Sequence, residues 1–158
     1  MKIRFEGLAN GFQVSPIPDG YAGMNWTNIG AVDTGQYPGT GYDNVLNSGT
    51  DVGYTYDGWS RMRSATDFDL DRGWFAAAYT YDLKVVFRGY DDGVLTGKLK
   101  LHFDTDKVLV KFGDGFDSID SLVITTEDHA SQVLGEQLAF DDLDVTFESA
   151  APADDFIA

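Results

Sequence analysis

Carboxylates lie near both ends of the chain, in Phe5-Glu6-Gly7-Leu8 and in Phe140-Asp141-Asp142-Leu143. Each segment sets acids between apolar residues, as at the edge of a strand. If the first and last strands of a β-sandwich are neighbours, Glu6 and Asp141 meet, and their charges repel unless a cation lies between them. Calcium prefers such oxygen ligands, with Asp142 as a candidate third acid. The alternative is that all three are solvated acids at strand ends.

Aromatic residues form a second candidate site. Neutral sugars stack their apolar faces on Trp and Tyr, and their hydroxyls hydrogen-bond to Asp, Asn and Gln. Both kinds of residue occur together in Gln36–Asn44 and again in Tyr54–Trp59. The predicted ligand-binding residues are Tyr37, Tyr42, Asp43, Tyr56 and Trp59. The alternative is that these rings cover the edges of a sandwich. We expect Trp26 and Trp74, which apolar strand residues flank, to lie in the core.

Other arrangements of reactive residues give weaker evidence for a functional site. Asp67-x-Asp69-x-Asp71 has Arg72 where the calcium loop of an EF-hand needs glycine, so an acidic outer face of a strand explains it better. The chain has two histidines and no cysteine, and it contains neither a Gly-x-Ser-x-Gly elbow nor a phosphate-binding loop. The enzymatic alternative is a glycosidase, since that chemistry needs only two carboxylates across a cleft. We predict that the protein is not an enzyme.

The elements that must position these residues are strands. Apolar and polar residues alternate from Leu83 to Phe87, Leu99 to Phe103, Val108 to Phe112 and Leu143 to Phe147, a period that buries one face of each strand. The turn-like segments Tyr90–Gly93, Asp104–Asp106 and Gly113–Gly115 predict hairpins, and an antiparallel meander is the simplest topology. Residues 15–58 lack this period and predict short strands between long surface loops, where binding residues often lie.

Several segments resemble a known family. The segment Pro18-Asp19-Gly20-Tyr21-Ala22-Gly23-Met24-Asn25-Trp26 resembles part of a β-sandwich domain of secreted bacterial proteins, including many of the PEP-CTERM type. Further similarities are Phe68-Asp69-Leu70, Trp74–Ala78, Leu83–Tyr90, Ile119–Leu122 and Leu138–Leu143. The resemblance covers residues 3–147. It implies an all-β, antiparallel jelly-roll sandwich similar to carbohydrate-binding modules, with structural calcium between an N-terminal acid and an acid of the last strand.

Composition limits the partners. The chain has 158 residues, with 26 acidic against 11 basic residues and a formal charge of −15, which disfavours nucleic acid and anionic membranes. No apolar stretch is long enough to insert into a membrane as a helix. We expect one domain over residues 1–148, followed by an acidic tail or linker over residues 149–158. That tail resembles the ends of some type I secretion substrates.

These observations predict a calcium-binding module that is secreted or on the cell surface and that binds a glycan or mediates adhesion. The alternative is a structural or protein-interaction module of a surface assembly, in which calcium and free strand edges promote self-association.

Overall fold

A computed structural model describes residues 1–9, 15–128 and 135–148. They form an antiparallel β-sandwich of jelly-roll type, as predicted, with three short 3-10 turns and one short helix, α1 (Gly41–Val45). The strands are β1 (Lys2–Ile3), β2 (Ser15–Pro16), β3 (Asn25–Thr27), β4 (Ile29–Asp33), β5 (Asp51–Thr55), β6 (Trp59–Ala77), β7 (Leu83–Asp91), β8 (Val94–Phe103), β9 (Val108–Lys111), β10 (Ile119–Asp128) and β11 (Leu138–Phe147). The predicted tail, residues 149–158, lies outside the described residues.

The long strand β6 belongs to both layers of the sandwich. Its first part pairs with β3 and β10, and β10 continues through β7 to β8; we call these strands the first layer. Its second part pairs with β9 and β11, and β11 continues through β5 and β4 to β2 in the second layer. The expectation that the first and last strands are neighbours is confirmed, because Ile3 of β1 pairs with Leu143 of β11.

Alternating apolar residues of the two layers fill the space between them. Phe75 of the second layer packs edge-on against Phe87 of the first, with ring centroids 5.2 Å apart. Phe140 and Phe5 join the same cluster at 5.3 Å. Trp26 is buried as predicted, whereas Trp74 is half-buried on the outer face of the second layer and lies under the ammonium group of Lys107.

One predicted hairpin is confirmed and the simple meander is wrong. β7 and β8 pair through the two-residue turn Asp92-Gly93, whose positive φ angles suit the right-handed twist of the strands. However, β9 pairs with β6 and not with β8, so Asp104–Asp106 carries the chain from the first layer to the second. The chain then returns, and β10 inserts between β6 and β7. The alternation within each strand predicts its buried face but not its neighbour.

A second, smaller apolar cluster covers the outer face of the second layer. Helix α1 packs there through Tyr42 and Val45, against Val52 and Tyr54 of β5 and the alanines near the end of β6. Gly41 makes the close approach possible, because a Cβ at this position would lie 1.7 Å from the carbonyl oxygen of Ala77. The poorly periodic region of the sequence therefore supplies the short strands β2 to β5, as predicted, and between β4 and β5 the helix and loops that cover one face of the second layer.

Candidate functional site

Five tyrosine rings surround a cavity of about 410 Å³ on the outer face of the second layer. Tyr42 lies at the centre: the ring centroids of Tyr37, Tyr54 and Tyr79 are 5.1, 5.6 and 5.5 Å from its own. Tyr56 extends the cluster from Tyr54 at 5.7 Å. The remaining lining residues are Val32, Asp57 and Gln137. We call this site the tyrosine pocket.

Three separate parts of the chain position these rings. Tyr37 and Tyr42 come from the loop and helix between β4 and β5, Tyr54 and Tyr56 from the end of β5, and Tyr79 from the loop after β6. Gly30 of β4 gives Tyr54 room, because a Cβ there would lie 3.0 Å from the tyrosine hydroxyl. The second layer of the sandwich therefore forms the base of the pocket, and the loops form its sides.

The polar groups that line the pocket are tyrosine hydroxyls, one carboxylate and one amide. Among residues 1–9, 15–128 and 135–148, none hydrogen-bonds to the side-chain oxygen of any of the five tyrosines. Burial, followed by the neighbouring tyrosines, raises the pKa of Tyr42, and burial also leads the rise in the pKa of Tyr54. Both side chains are therefore neutral donors and acceptors near neutral pH. Asp57 and Gln137 add an anionic and an amide group at the rim.

The structure separates the predicted ligand-binding residues. Tyr37, Tyr42 and Tyr56 line the tyrosine pocket. Asp43 is exposed and does not line the pocket. It accepts a hydrogen bond from the backbone N–H of Gly39, so it stabilises the turn before α1. Trp59 lies in a different groove.

Sequence reasoning did not include Tyr79 and Gln137, which follow β6 and precede β11. They reach the pocket through the sheet pairing, because Leu138 of β11 lies opposite Ala77 of β6. A tyrosine directly after the alanine run 76–78 was the one available signal.

Trp59 lies in a groove of about 440 Å³ on the first layer. The guanidinium carbon of Arg61 is 5.6 Å from the centre of its ring, a cation–π contact. Arg63, Tyr90 and Asp92 line the same groove. Trp59 is 39% exposed, as a stacking residue should be, and both charged residues and a second ring, Tyr90, line its groove.

The predicted metal ligands Glu6, Asp141 and Asp142 all bind one loop, residues 47–51. The buried Asp141 accepts hydrogen bonds from the backbone N–H groups of Asn47 and Ser48 at 2.8 and 3.0 Å. The side chains of the same two residues donate to Asp142. Glu6 accepts from the N–H groups of residues 50 and 51.

Donors therefore reach all three carboxylates, a pattern that suits an anion held by N–H groups rather than a cation. Burial raises the pKa of Asp141 to about 6, although these N–H donors lower it. The structure gives the three acids a role in fixing loop 47–51. Their ligation of calcium stays a prediction.

Acidic groups that could hold a metal ion occur elsewhere in the described residues. In two sets of three, the carboxylate oxygens lie within 4.8 Å of one another: Asp67, Asp91 and Asp120, and Asp69, Asp71 and Asp117. Burial raises the pKa of Asp67 and of Asp91, and neighbouring acids add to both shifts. One carboxylate oxygen of Asp91 is buried without a hydrogen-bond partner. The alternating acids of β6 lie on its outer face, as predicted.

Comparisons with known proteins returned solved structures only: no family model and no curated protein matches the chain. A family 61 carbohydrate-binding module in complex with β-1,4-galactotriose is 10% identical, with a TM-score of 0.46 over 83% of this chain and 95% of its own. A family 51 module from Clostridium perfringens in complex with methyl-galactose is 11% identical, with a TM-score of 0.42 over 92% of this chain and 100% of its own.

The N-terminal part of a Clostridium thermocellum xylanase, complexed with xylohexaose, gives 13% identity and a TM-score of 0.41, over 94% of this chain and 28% of that one. These similarities are to β-sandwich modules and do not establish a family. The resemblance to the PEP-CTERM-type domain stays a prediction. Among the described residues, no helix is long and apolar enough to cross a membrane.

Proposed function

We propose that this chain is a non-catalytic carbohydrate-binding module and that its ligand site is the tyrosine pocket. The observation that carries the proposal is the cluster of tyrosine rings around a cavity of about 410 Å³. The side-chain oxygens of these tyrosines form no hydrogen bond with any described residue. A cavity of this size suits a small ligand such as one or a few sugar rings.

The chemistry of the lining favours a neutral sugar. Ring faces of Tyr37, Tyr56 and Tyr79 can stack on the C–H face of a pyranose, and the hydroxyls can exchange hydrogen bonds with its own. Asp57 adds an acceptor for sugar hydroxyls and would repel a ligand carboxylate. A neutral saccharide therefore fits better than an acidic one.

The lining argues against glycoside hydrolysis. That reaction uses two carboxylates on either side of the scissile bond. Among the described residues that line the pocket, Asp57 alone carries a carboxylate. Binding without turnover is the function that this set of side chains supports.

The proposal includes a calcium ion at Asp67, Asp91 and Asp120. Their oxygens converge, and the buried oxygen of Asp91 without a partner is the kind of ligand that Ca²⁺ prefers. Glu6, Asp141 and Asp142 are poorer candidates because donor groups already contact their oxygens. Calcium should raise the melting temperature, and Asp67→Asn/Asp120→Asn should abolish the rise.

The matched control for calcium is Asp104→Asn/Asp106→Asn, which removes two charges from an exposed turn. If EDTA and calcium leave the melting temperature of the unmodified protein unchanged, calcium is excluded from the proposal. If Glu6→Gln abolishes the calcium effect instead, the calcium ligands are Glu6, Asp141 and Asp142.

A polysaccharide ligand implies that the module acts in a secreted or cell-surface setting. The alternative function, assembly through free strand edges, receives less support. β8 is the outer strand of the first layer, but it carries Lys98 and Lys100, and charged residues on an edge strand oppose pairing with a second copy. Sedimentation of the protein with and without calcium tests this alternative.

The glycan proposal is tested by isothermal titration with β-1,4-galactotriose and xylohexaose, followed by a wider neutral-glycan array. Tyr79→Ala and Tyr56→Ala should weaken the binding of any glycan found by roughly tenfold each, because each removes a stacking surface. The control is Tyr81→Ala, an exposed tyrosine outside the lining. Binding that persists in both pocket variants, or no binding on any array, contradicts the proposal.

A further inference from the structure

Basic residues are concentrated on one face of the first layer. The chain as a whole carries 11 basic and 26 acidic residues. Six of the basic residues lie on β6, β7 and β8 at positions that face away from the core: Arg61, Arg63, Lys84, Arg88, Lys98 and Lys100. We call this surface the basic face. Acidic residues interrupt the basic face: Glu127 of β10 lies opposite Lys84 of β7, and Asp92 and Asp120 line the groove beside Trp59.

The strand register aligns these residues across the sheet. Arg61 of β6 lies opposite Val123 of β10, Val123 lies opposite Arg88 of β7, and Arg88 lies opposite Lys98 of β8. Residues paired in this way share a face of the sheet, and neighbouring strands are about 4.8 Å apart. Three positive charges therefore form a row roughly 14 Å long.

The charges on this row are not neutralised within the described part of the chain. No carboxylate there lies within 4.0 Å of the charged nitrogens of the six residues. Arg88 donates to the hydroxyl of Thr125 at 3.2 Å. The Nε atom of Arg61 is buried and has no hydrogen-bond partner, a state that costs free energy until an acceptor arrives.

Two grooves open on the basic face. The larger is the Trp59 groove of about 440 Å³, where Arg61, Arg63 and Tyr90 lie beside Asp92 and Asp120. The smaller, of about 170 Å³, is lined by Lys84, Val86, Arg88, Thr125 and one acid, Glu127. Val123 and Thr125 alternate on β10, so the two grooves are neighbours on a continuous surface.

We propose that the basic face is a second binding site, for a polysaccharide that carries carboxylate groups. Arginine and lysine bind the carboxylates, and arginine does so with two parallel hydrogen bonds. Trp59 and Tyr90 supply flat surfaces for the sugar rings. Asp92, Ser121 and Thr125 accept hydrogen bonds from sugar hydroxyls.

Charge density and hydroxyl content favour this ligand over DNA. Duplex DNA carries a negative charge about every 1.7 Å and presents phosphates without hydroxyl donors. Asp92 in the groove can accept hydrogen bonds from sugar hydroxyls but would repel closely spaced phosphates. A uronic acid chain has one carboxylate per ring and several hydroxyls, which matches a row of separated cations with acceptors between them.

The inference does not depend on the function proposed for the tyrosine pocket. The two sites lie on different layers and share no lining residue. A ligand of one site should therefore leave the other unoccupied.

The test uses polygalacturonate and, as a neutral match, its fully methyl-esterified form. The complete chain should bind the acid form, and esterification or added salt should weaken binding at least tenfold. Lys98→Gln/Lys100→Gln changes two exposed residues and should weaken binding on the order of tenfold. Arg61→Gln/Arg63→Gln should weaken it further, with folding checked by melting temperature.

The matched control is Lys2→Gln/Lys111→Gln, which removes the same charge from exposed positions off the basic face. Polygalacturonate binding by this variant should equal that of the unmodified protein. Equal binding of the esterified polymer, an equal loss in the control variant, or no binding of the acid form overturns the proposal. So does tighter binding of a DNA duplex, or sedimentation showing that a second copy covers this face.

Discussion

The tyrosine pocket and the basic face differ in how the chain builds them. Loops and a short helix form the pocket over the second layer, and its lining is neutral except for Asp57. Regular strands form the basic face on the first layer, and its side chains are charged and alternate with the core. The proposed ligands differ accordingly: a small neutral saccharide for the pocket and a long acidic polysaccharide for the basic face. A single sandwich can therefore present two unlike surfaces.

The difference also decides which forces act at each site. Stacking and neutral hydrogen bonds dominate in the pocket and depend little on salt. Long-range attraction dominates on the basic face, where the charges are exposed and screened by salt. Each of the following changes should affect one region and spare the other.

The largest effect is expected from Gly41→Ala, which should remove the pocket. The added Cβ would lie 1.7 Å from the carbonyl oxygen of Ala77, so α1 must move away from the sheet. We expect a loss of roughly 3 kcal/mol in the free energy of unfolding, measured by denaturant titration. Neutral glycan binding should disappear while polygalacturonate binding persists. Gly113→Ala, with open space around it, is the control.

The second prediction concerns the loop that adjoins the pocket helix. The pKa of Asp141 is about 6 in the folded state, against an ordinary value of 3.8. The folded state therefore binds the proton more tightly, so the contribution of Asp141 to stability is highest below about pH 4 and is lost as the pH rises to about 6. Relative to Asp141→Asn, the unmodified protein should lose on the order of 2 to 3 kcal/mol between pH 4 and pH 7.

Denaturant titration of both proteins across this pH range measures the difference. Calcium bound by Glu6, Asp141 and Asp142 would favour the ionised carboxylate and reverse the trend. A reversal of the pH dependence on addition of calcium would assign the metal site to these three residues.

The third prediction compares the salt dependence of the two sites. Raising the salt concentration from about 0.05 to 0.5 M should weaken polygalacturonate binding by roughly tenfold or more, because exposed charges are screened. Neutral glycan binding should change by less than about twofold. Titration calorimetry of both ligands gives the two slopes, and equal slopes would mean that the ligands share one surface.

The smallest expected effect is that of Tyr79→Ala on stability. Tyr79 is 40% exposed, so its removal should cost about 1 kcal/mol or less in the free energy of unfolding while weakening glycan binding roughly tenfold. A loss of stability as large as that of Gly41→Ala would show that Tyr79 is a structural residue.

The strands that build the basic face could be predicted from sequence. Alternation in Leu83–Phe87 and Leu99–Phe103 identified their buried sides, and the Asp92-Gly93 turn identified their hairpin. The placement of β9 could not be predicted, because periodicity within a strand does not specify which strand lies beside it. Chain-end pairing was predicted from acidic segments that the structure connects to loop 47–51.

The tyrosine pocket was predicted only in part. Tyr37, Tyr42 and Tyr56 lie in a region recognised as aromatic loops, but Tyr79 and Gln137 come from segments separated from it by long strands. Trp59 lies near Tyr56 in sequence, yet the start of β6 carries it to the other layer. Nearness along the chain does not predict a shared site when the chain crosses between layers.

The central claim, that the two surfaces are separate binding sites, is tested most directly by amide chemical-shift mapping with a neutral oligosaccharide and with an oligogalacturonate. The account predicts two sets of shifted amides that do not overlap: residues near Tyr42, Tyr56 and Gln137 for the neutral ligand, and residues near Arg61, Arg88 and Lys98 for the acidic one. Shifts of the same amides by both ligands would contradict it.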